Sequence, residues 1–353
     1  MNNNEMITTT FIKRFGYLFL FSILFLFGVG IKQVNASQVD FSVQPMTSDY
    51  QLDKKKTYFD LKAAPGTKTQ LKIKVANLID RSLTFKVLIR DATTNYNGVV
   101  EYAESQSKVL SQQPFSVVKA VTVNQNRITV PAKSEKIVTL DVALPNTTFA
   151  GVVAGGISVI EDNDAQSQTK SERAVIDNRY LYTTAVIFHG EQPVTSAQVK
   201  LKTVDITQIN ARNVIAARFE NQSAMFLNKV QINTQVRRLG SSKVLYRASN
   251  KDMQIAPTSA VTFPIPLAAG ELLKSGTYEL SAEMISKNQA WYFKQKFMVS
   301  GSKARILNEK DITIDQTNYW IYWILLLFLL IIVNVFVILW INRRLKRKYQ
   351  QKN

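Results

Sequence analysis

Residues 68–90, KTQLKIKVANLIDRSLTFKVLIR, decide the fold class of this chain. Leu71, Ile73 and Val75 alternate with lysine and glutamine, and a second alternation of apolar residues runs from Leu83 to Ile89. An apolar residue at every second position gives a β-strand one face for a core and one face for solvent. The stretch therefore predicts two half-buried strands joined by a short polar turn.

The same two-residue period recurs along the chain between proline, glycine and asparagine residues. Breaks at Pro65-Gly66, 95–98 and 124–126 separate short strands, which favours an antiparallel sandwich over a helical fold. The polar segment 162–173 has no apolar period and predicts an exposed loop near a domain boundary. Alternating segments then resume at Tyr182 and continue to Val299, so the second part of the chain is predicted to be β as well.

The two halves share an order of features that suggests an old duplication. A strand ends at Asn77 in the first half and at Asn221 in the second, and each is followed by an alternating strand. A proline-containing segment then leads into a further strand in both halves. We therefore predict an all-β ectodomain of two tandem immunoglobulin-like β-sandwiches, over residues 37–165 and 166–302, plus one C-terminal transmembrane helix.

The N-terminal 36 residues have the layout of a secretory signal peptide. Lys13 and Arg14 precede an apolar run, and Val-Asn-Ala at 34–36 supplies small residues before a cleavage point. We expect cleavage after Ala36, with an uncleaved membrane anchor as the alternative.

The C-terminal region predicts a membrane anchor. Residues 319–341 contain no charge over 23 positions, which as a helix span roughly 34 Å and suffice to cross a bilayer. The tail, 342–353, is rich in arginine and lysine, and the positive-inside rule places it in the cytoplasm. We thus predict a single-pass plasma-membrane protein with most of its chain outside the cell, lifted from the membrane by a polar tether over 303–318.

Composition restricts the function classes. The chain has no cysteine and one histidine, His189, which leaves little material for nucleophilic or metal catalysis, so we predict no enzyme activity, cofactor or metal. Residues 37–318 carry 35 Lys and Arg against 25 Asp and Glu, an excess that suits the polyanions of a cell wall, although surface lysines can equally serve solubility. No nucleic-acid partner is predicted.

Several dispersed motifs resemble one known family. In the first half they are the YFDL string at 58–61, Asn97-Gly98 and the glycine-rich FAGVVAGGI at 149–157. In the second half they are DMQIAP at 252–257 and Gly276-Thr277-Tyr278. These strings, with the signal, the domain order and the terminal helix, are similar to WxL-interacting proteins.

The resemblance implies a binding protein of Gram-positive cell surfaces. It implies that the first domain associates with peptidoglycan, the second with a host extracellular matrix protein, and the whole with WxL-domain surface proteins. The expected role is that of an adhesin or scaffold. A wall-active hydrolase or its accessory subunit, and a surface sensor acting through a partner membrane protein, remain alternatives.

Two sets of side chains are candidates for ligand contact. Aromatic rings in the first domain could stack on sugars, although strand aromatics also serve as core; they are Tyr58, Phe59, Tyr96 and Tyr102. Basic residues around a hairpin at 240–242 could bind acidic proteins or polyanions, or could be a solvated hairpin; they are Arg237, Arg238, Lys243, Arg247 and Lys251.

Overall fold

The computed structural model describes residues 39–103, 109–162, 180–315 and 320–350. It confirms the predicted fold class, since two β-sandwiches are followed by one C-terminal apolar helix. The signal-peptide prediction lies outside the described residues, as does most of the loop predicted at 162–173.

The first sandwich is built from two sheets that enclose one apolar core. One sheet has the strand order β1–β3–β9–β7 and the other β2–β11–β10–β4–β8. A two-stranded ribbon, β5–β6, and one helical turn, α1, lie in the segment between β4 and β7. The strands are β1 (Phe41–Pro45), β2 (Phe59–Lys62), β3 (Lys68–Asn77), β4 (Leu83–Asp91), β5 (Thr93–Thr94), β6 (Val100–Glu101), β7 (Val121–Val123), β8 (Arg127–Val130), β9 (Glu135–Ala143), β10 (Val152–Glu161) and β11 (Leu181–His189), and α1 is Val117–Ala120.

The second sandwich has a three-stranded sheet, β12–β13–β16, facing a four-stranded sheet, β15–β14–β17–β18. Its strands are longer, and alternate residues such as Val230, Ile232 and Val236 of β14 are fully buried in a second core. The strands are β12 (Val199–Ile209), β13 (Arg212–Asn221), β14 (Leu227–Arg238), β15 (Val244–Ile255), β16 (Ser259–Pro266), β17 (Gly276–Ser286) and β18 (Gln289–Val299). Helix α2 (Gly301–Lys310) and helix α3 (Trp320–Gln350) follow.

The two sandwiches have matching strand orders, as the duplication hypothesis requires. The order β1–β3–β9 corresponds to β12–β13–β16, and β8–β4–β10–β11 corresponds to β15–β14–β17–β18. The first sandwich differs by adding β7 and by adding β2 in parallel at the outer edge of β11. The sheets alone therefore support descent from one ancestral unit.

Asn77 and Asn221 occupy equivalent positions in the two sandwiches and make equivalent hydrogen bonds. Each is buried at the end of a strand, and each side-chain amide donates to the carbonyl four residues later, at Arg81 (2.7 Å) or Met225 (2.8 Å). Each amide also donates to the carbonyl of the residue before a proline, Val130 in one sandwich and Ala256 in the other. The carbonyl oxygen of each accepts from the backbone N–H two residues on. One asparagine thus fixes the turn after the strand and holds a distant segment against it.

The position of β11 differs from the sequence-based domain division. The residues of β11 come after the predicted boundary at 165/166, yet β11 pairs along its length with β10 and continues the first sandwich's sheet. Its equivalent in the second sandwich is β18, the last strand there. The pattern of apolar residues identified a strand but carried no information about its partner, because β10 and β11 are separated by a long polar segment.

The two sandwiches meet in an interface with backbone hydrogen bonds. Val152 N donates to Ala224 O (2.7 Å), and Gln254 N donates to Gly98 O (2.7 Å). A small apolar cluster lies at the same junction; it comprises Ala92, Val100, Ala154 and Ala256, with Tyr102, Ile187 and Phe226 packed against it. These contacts join the two units directly.

The segment predicted as a tether begins with helix α2, which packs on the second sandwich. Ala304 is 4% exposed, and Asn308 exchanges two hydrogen bonds with the backbone of Leu273, each 3.0 Å. Asp311 accepts from Asn213 N of β13 at 2.7 Å. The prediction of a polar tether over 303–318 is therefore wrong for its first part, because a few buried contacts suffice to anchor a helix that is polar overall.

Helix α3 contains a 24-residue apolar segment, Trp320–Arg343, of which none is buried against the rest of the chain. Both β cores thus lie within residues 39–315, and no residue of helix α3 belongs to either of them.

Candidate ligand-binding surfaces

The four aromatic residues predicted for glycan contact have different environments. Phe59 is 1% exposed in the first core, so its prediction as a stacking residue is wrong: its ring completes the packing of β2. Tyr96 is exposed in the turn between β5 and β6. Tyr58 is half-buried, and Tyr102 is half-buried at the junction of the sandwiches. Burial, and then the neighbouring Tyr58, raise the pKa of Tyr102 to about 12.

A polar cluster lies beside Tyr58, at the edge where β2 pairs with β11. The carboxylate of Asp60 is buried, and it accepts from Lys56 Nζ (2.5 Å) and from His189 Nε2 (2.6 Å). Lys56 Nζ also lies 5.3 Å from the centre of the Tyr58 ring. The sequence placed Asp60 and His189 in separate domains, so periodicity could not have brought them together.

The charge on Asp60 results from two opposing effects. Burial is the larger single influence and disfavours the carboxylate, but the hydrogen bonds from Lys56 and His189 together outweigh it. The pKa of Asp60 is therefore held below its ordinary value of 3.8, and the bond to Asp60 raises the pKa of Lys56. The carboxylate of Asp60 thus joins β2 to β11 through His189 and also binds Lys56. The ammonium and imidazole groups are about one-third exposed.

The glycine-rich strand β10 is packed by the chain's own residues. A Cβ at Gly156 would lie 2.2 Å from Tyr102 O, and a Cβ at Gly155 would lie 2.5 Å from Arg90 O. Gly151 has φ +80° and approaches Ala224 O of the second sandwich. These glycines serve close backbone approach within the protein.

The predicted basic set of the second sandwich does not form one patch. Arg237 and Arg247 lie on the outer face of the four-stranded sheet, whereas Arg238 Nη2 donates to Ser275 O at one end of the sandwich. Lys243 is exposed in the hairpin, and Lys251 is exposed farther along β15. The hairpin interpretation thus gathered residues that point in different directions.

The outer face contains further residues that the hairpin interpretation missed. Tyr292 and Lys294 of β18 line the same shallow depression as Arg247, and the depression has a volume of about 820 Å³. Tyr292 is 75% exposed. The signal was present in the sequence, because Tyr292, Lys294 and Lys296 alternate along β18 as solvent-facing residues do.

The described residues contain no group of three or more His, Cys, Asp or Glu side chains that could hold a metal ion. In helix α3, the Asn334 side chain donates to Leu330 O of the same helix at 2.8 Å, which satisfies one of its amide hydrogens internally.

Comparisons with solved structures find chaperones at low similarity. The Pseudomonas aeruginosa CupB2 chaperone is 10% identical, with 69% of this chain and 99% of that chain covered and a TM-score of 0.26. The E. coli chaperone DraB is 10% identical over 74% and 98% of the two chains, with a TM-score of 0.27. The CsuC–CsuE chaperone–tip adhesion subunit complex of Acinetobacter baumannii is 8% identical, with 72% of this chain and 98% of that chain covered and a TM-score of 0.29. These scores are too low to support an argument about function.

No curated protein matches the chain. Two family models match it in succession. Residues 41–161 match the WxL Interacting Protein, peptidoglycan binding domain, and residues 171–309 match the WxL Interacting Protein, host binding domain. The second match begins ahead of β11 and ends within helix α2. The two matches cover most of the sequence in the order that the dispersed motifs indicated. The chain therefore belongs to the WxL-interacting protein family.

Proposed function

We propose that this protein is a membrane-anchored binding protein of the Gram-positive cell surface. The first sandwich attaches to peptidoglycan, the ectodomain engages WxL-domain surface proteins, and the second sandwich takes a host matrix ligand. Helix α3 holds the chain in the plasma membrane, with both sandwiches in the cell-wall zone.

The observation that carries the proposal is the order of the two family matches ahead of one apolar helix. A span of 24 residues is long enough to cross a bilayer. Arginine and lysine follow the span, as expected for a cytoplasmic end. A wall-binding module directly ahead of a membrane anchor would link the membrane to the wall.

Binding without turnover is the second part of the proposal. Both matched models are described as binding domains. The one histidine, His189, is hydrogen-bonded to the Asp60 carboxylate, which is also paired with Lys56. This arrangement stabilises the pairing of β2 with β11. Release of soluble sugar or peptide fragments from purified peptidoglycan by the ectodomain would contradict this part.

The test is sedimentation of the purified ectodomain, residues 37–318, with insoluble peptidoglycan. One sample of peptidoglycan retains its teichoic acid and the other is stripped of it, and both are assayed at low and high salt. Retention on stripped peptidoglycan at high salt is the expected result. Salt screens the general attraction of a basic protein to polyanions, whereas recognition of the polymer itself persists. Retention only on the teichoic-acid sample at low salt would contradict the assignment.

A further inference from the structure

The outer face of the sheet β15–β14–β17–β18 is open, whereas its counterpart in the first sandwich is covered. In the first sandwich, Val100 and Tyr102 lie over the outer face of β10, and Tyr102 fills the space above Gly156. In the second sandwich, the described residues place no segment over the equivalent face, and Tyr292 is 75% exposed there. Equivalent faces of the two sandwiches therefore differ, because the first is covered by the chain itself and the second is exposed.

Strand register arranges the side chains of the open face in rows. Gln235 is paired with Arg247 on one side and with Ser281 on the other, and Ser281 is paired with Lys294. With strands about 4.8 Å apart, Arg247 and Lys294 are separated by roughly 14 Å. Lys296 lies two residues farther along β18 on the same exposed face, so an occupant that reaches from Arg247 to Lys296 has to extend across the sheet.

The neighbouring row is polar and ends in an aromatic ring. Ser249 Oγ donates to Asn233 Oδ1 (2.7 Å), and Asn233 Nδ2 donates to Glu283 Oε2 (3.0 Å). Glu283 is in turn paired across strands with Tyr292. Amide and hydroxyl groups next to an exposed ring are suited to hydroxyl-rich ligands that also have flat apolar faces.

The face carries more positive than negative charge. Its cations are Arg237, Arg247, Lys294 and Lys296, and its carboxylates are Glu279 and Glu283. Glu279 is paired with Lys294 at 3.1 Å, and Glu283 accepts from Asn233. Arg247 and Lys296 have no carboxylate partner among the residues that the structure describes. Their charges complement an anionic occupant.

We propose that this face binds an acidic polysaccharide, a linear chain of sugars carrying sulfate and carboxylate groups. The proposal rests on the proposed function, because it gives the second sandwich its ligand class on the host side. Arg247 and Lys296 contact anionic groups of the chain, the amides and hydroxyls contact sugar hydroxyls, and Tyr292 stacks on a sugar ring.

A polysaccharide fits better than an acidic protein. Protein interfaces draw most of their affinity from aromatic or arginine anchors inserted into desolvated pockets. The depression here is wide and open, so it offers no deep, desolvated pocket for such an anchor.

The test measures binding of the ectodomain, residues 37–318, to immobilised heparan sulfate by surface plasmon resonance. The variant Arg247→Ala/Lys296→Ala removes the two cations of the face that have no carboxylate partner, and Tyr292→Ala removes the ring. The control Lys274→Ala/Arg305→Ala removes the same charge from exposed positions elsewhere in the second sandwich. Circular dichroism and thermal unfolding verify that each variant folds.

The expected result is a loss of about tenfold or more in affinity for the double variant and about fivefold for Tyr292→Ala, with the control within twofold of wild type. Equal losses in the double variant and its control would overturn the proposal, since binding would then follow net charge alone. Equal or tighter binding to poly-glutamate or to a glycerol phosphate polymer would also overturn it. Retention on peptidoglycan without binding to heparan sulfate would refute this inference and leave the wall-binding function intact.

Discussion

Replacing Asn221 by alanine tests how much the buried asparagine at the end of a strand contributes to the stability of its sandwich. The substitution removes donor bonds to Met225 O (2.8 Å) and Ala256 O (2.9 Å) and an acceptor for Ser223 N (3.2 Å). Each bond contributes about 1 kcal/mol net, and buried groups left without a partner add to the loss. We expect Asn221→Ala to lower the free energy of unfolding by about 2–4 kcal/mol. Asn77→Ala should cost about as much, because the same bonds recur in the first sandwich.

The assay is urea unfolding of the ectodomain followed by circular dichroism and by fluorescence. Trp291 is the one tryptophan between residues 37 and 318, and it packs against the second core, so its fluorescence reports that sandwich. Asn124→Ala is the matched control, because Asn124 is exposed between β7 and β8. Surface substitutions of this kind change the stability by no more than about 0.5 kcal/mol.

A second substitution at the same site separates hydrogen bonding from shape. Asn221→Asp keeps the size and the acceptor oxygen but loses both donors, and it places a carboxylate against two carbonyl groups. We expect it to be at least as destabilising as alanine. If Asn221→Ala were no more destabilising than Asn124→Ala, or if the aspartate variant were as stable as wild type, the hydrogen bonds of Asn221 would not stabilise the fold.

Three further predictions concern the first sandwich. A fragment of residues 39–193, which includes β11, should unfold cooperatively, whereas one of residues 39–162 should lack a cooperative transition; equal behaviour would refute the strand assignment. Gly156→Ala should cost about 1–3 kcal/mol because its Cβ would lie 2.2 Å from a backbone oxygen, while Gly301→Ala, with nothing within 4 Å, should be neutral or slightly stabilising; equal thermal shifts would count against this packing. Because the folded pKa of Asp60 is below 3.8, the bonds of its carboxylate to Lys56 and His189 stabilise the protein above that pH and are lost as the pH falls through the folded pKa, so the stability difference between wild type and Asp60→Asn should shrink below about pH 4; a difference that stays constant into acid would contradict it.

Most of the fold was predictable from local patterns. The alternation at 71–75 and 83–89 specified strands with one buried face, and these residues do lie in the first core. The 23-residue uncharged run specified the apolar helix. The order of asparagine, alternating strand and proline segment in each half indicated the duplication, because equivalent turns need equivalent side chains.

What the patterns missed depends on long-range pairing. The partner of β11 is set by hydrogen bonds across a long polar segment, and a period of two records burial but not neighbours. Helix α2 was missed because one buried alanine and a few polar contacts hold it in place. Phe59 was predicted to be a stacking residue because the sequence does not say which strand aromatics are internal.

A tethering assay measures whether one chain can link the plasma membrane to the wall. The full-length protein is reconstituted in fluorescent lipid vesicles, which are mixed with teichoic-acid-free peptidoglycan and sedimented at low speed. We expect vesicles carrying the full chain to sediment with the peptidoglycan, and an excess of free ectodomain, residues 37–318, to release them. Vesicles that stay in the supernatant although the ectodomain is exposed on their surface would contradict this expectation.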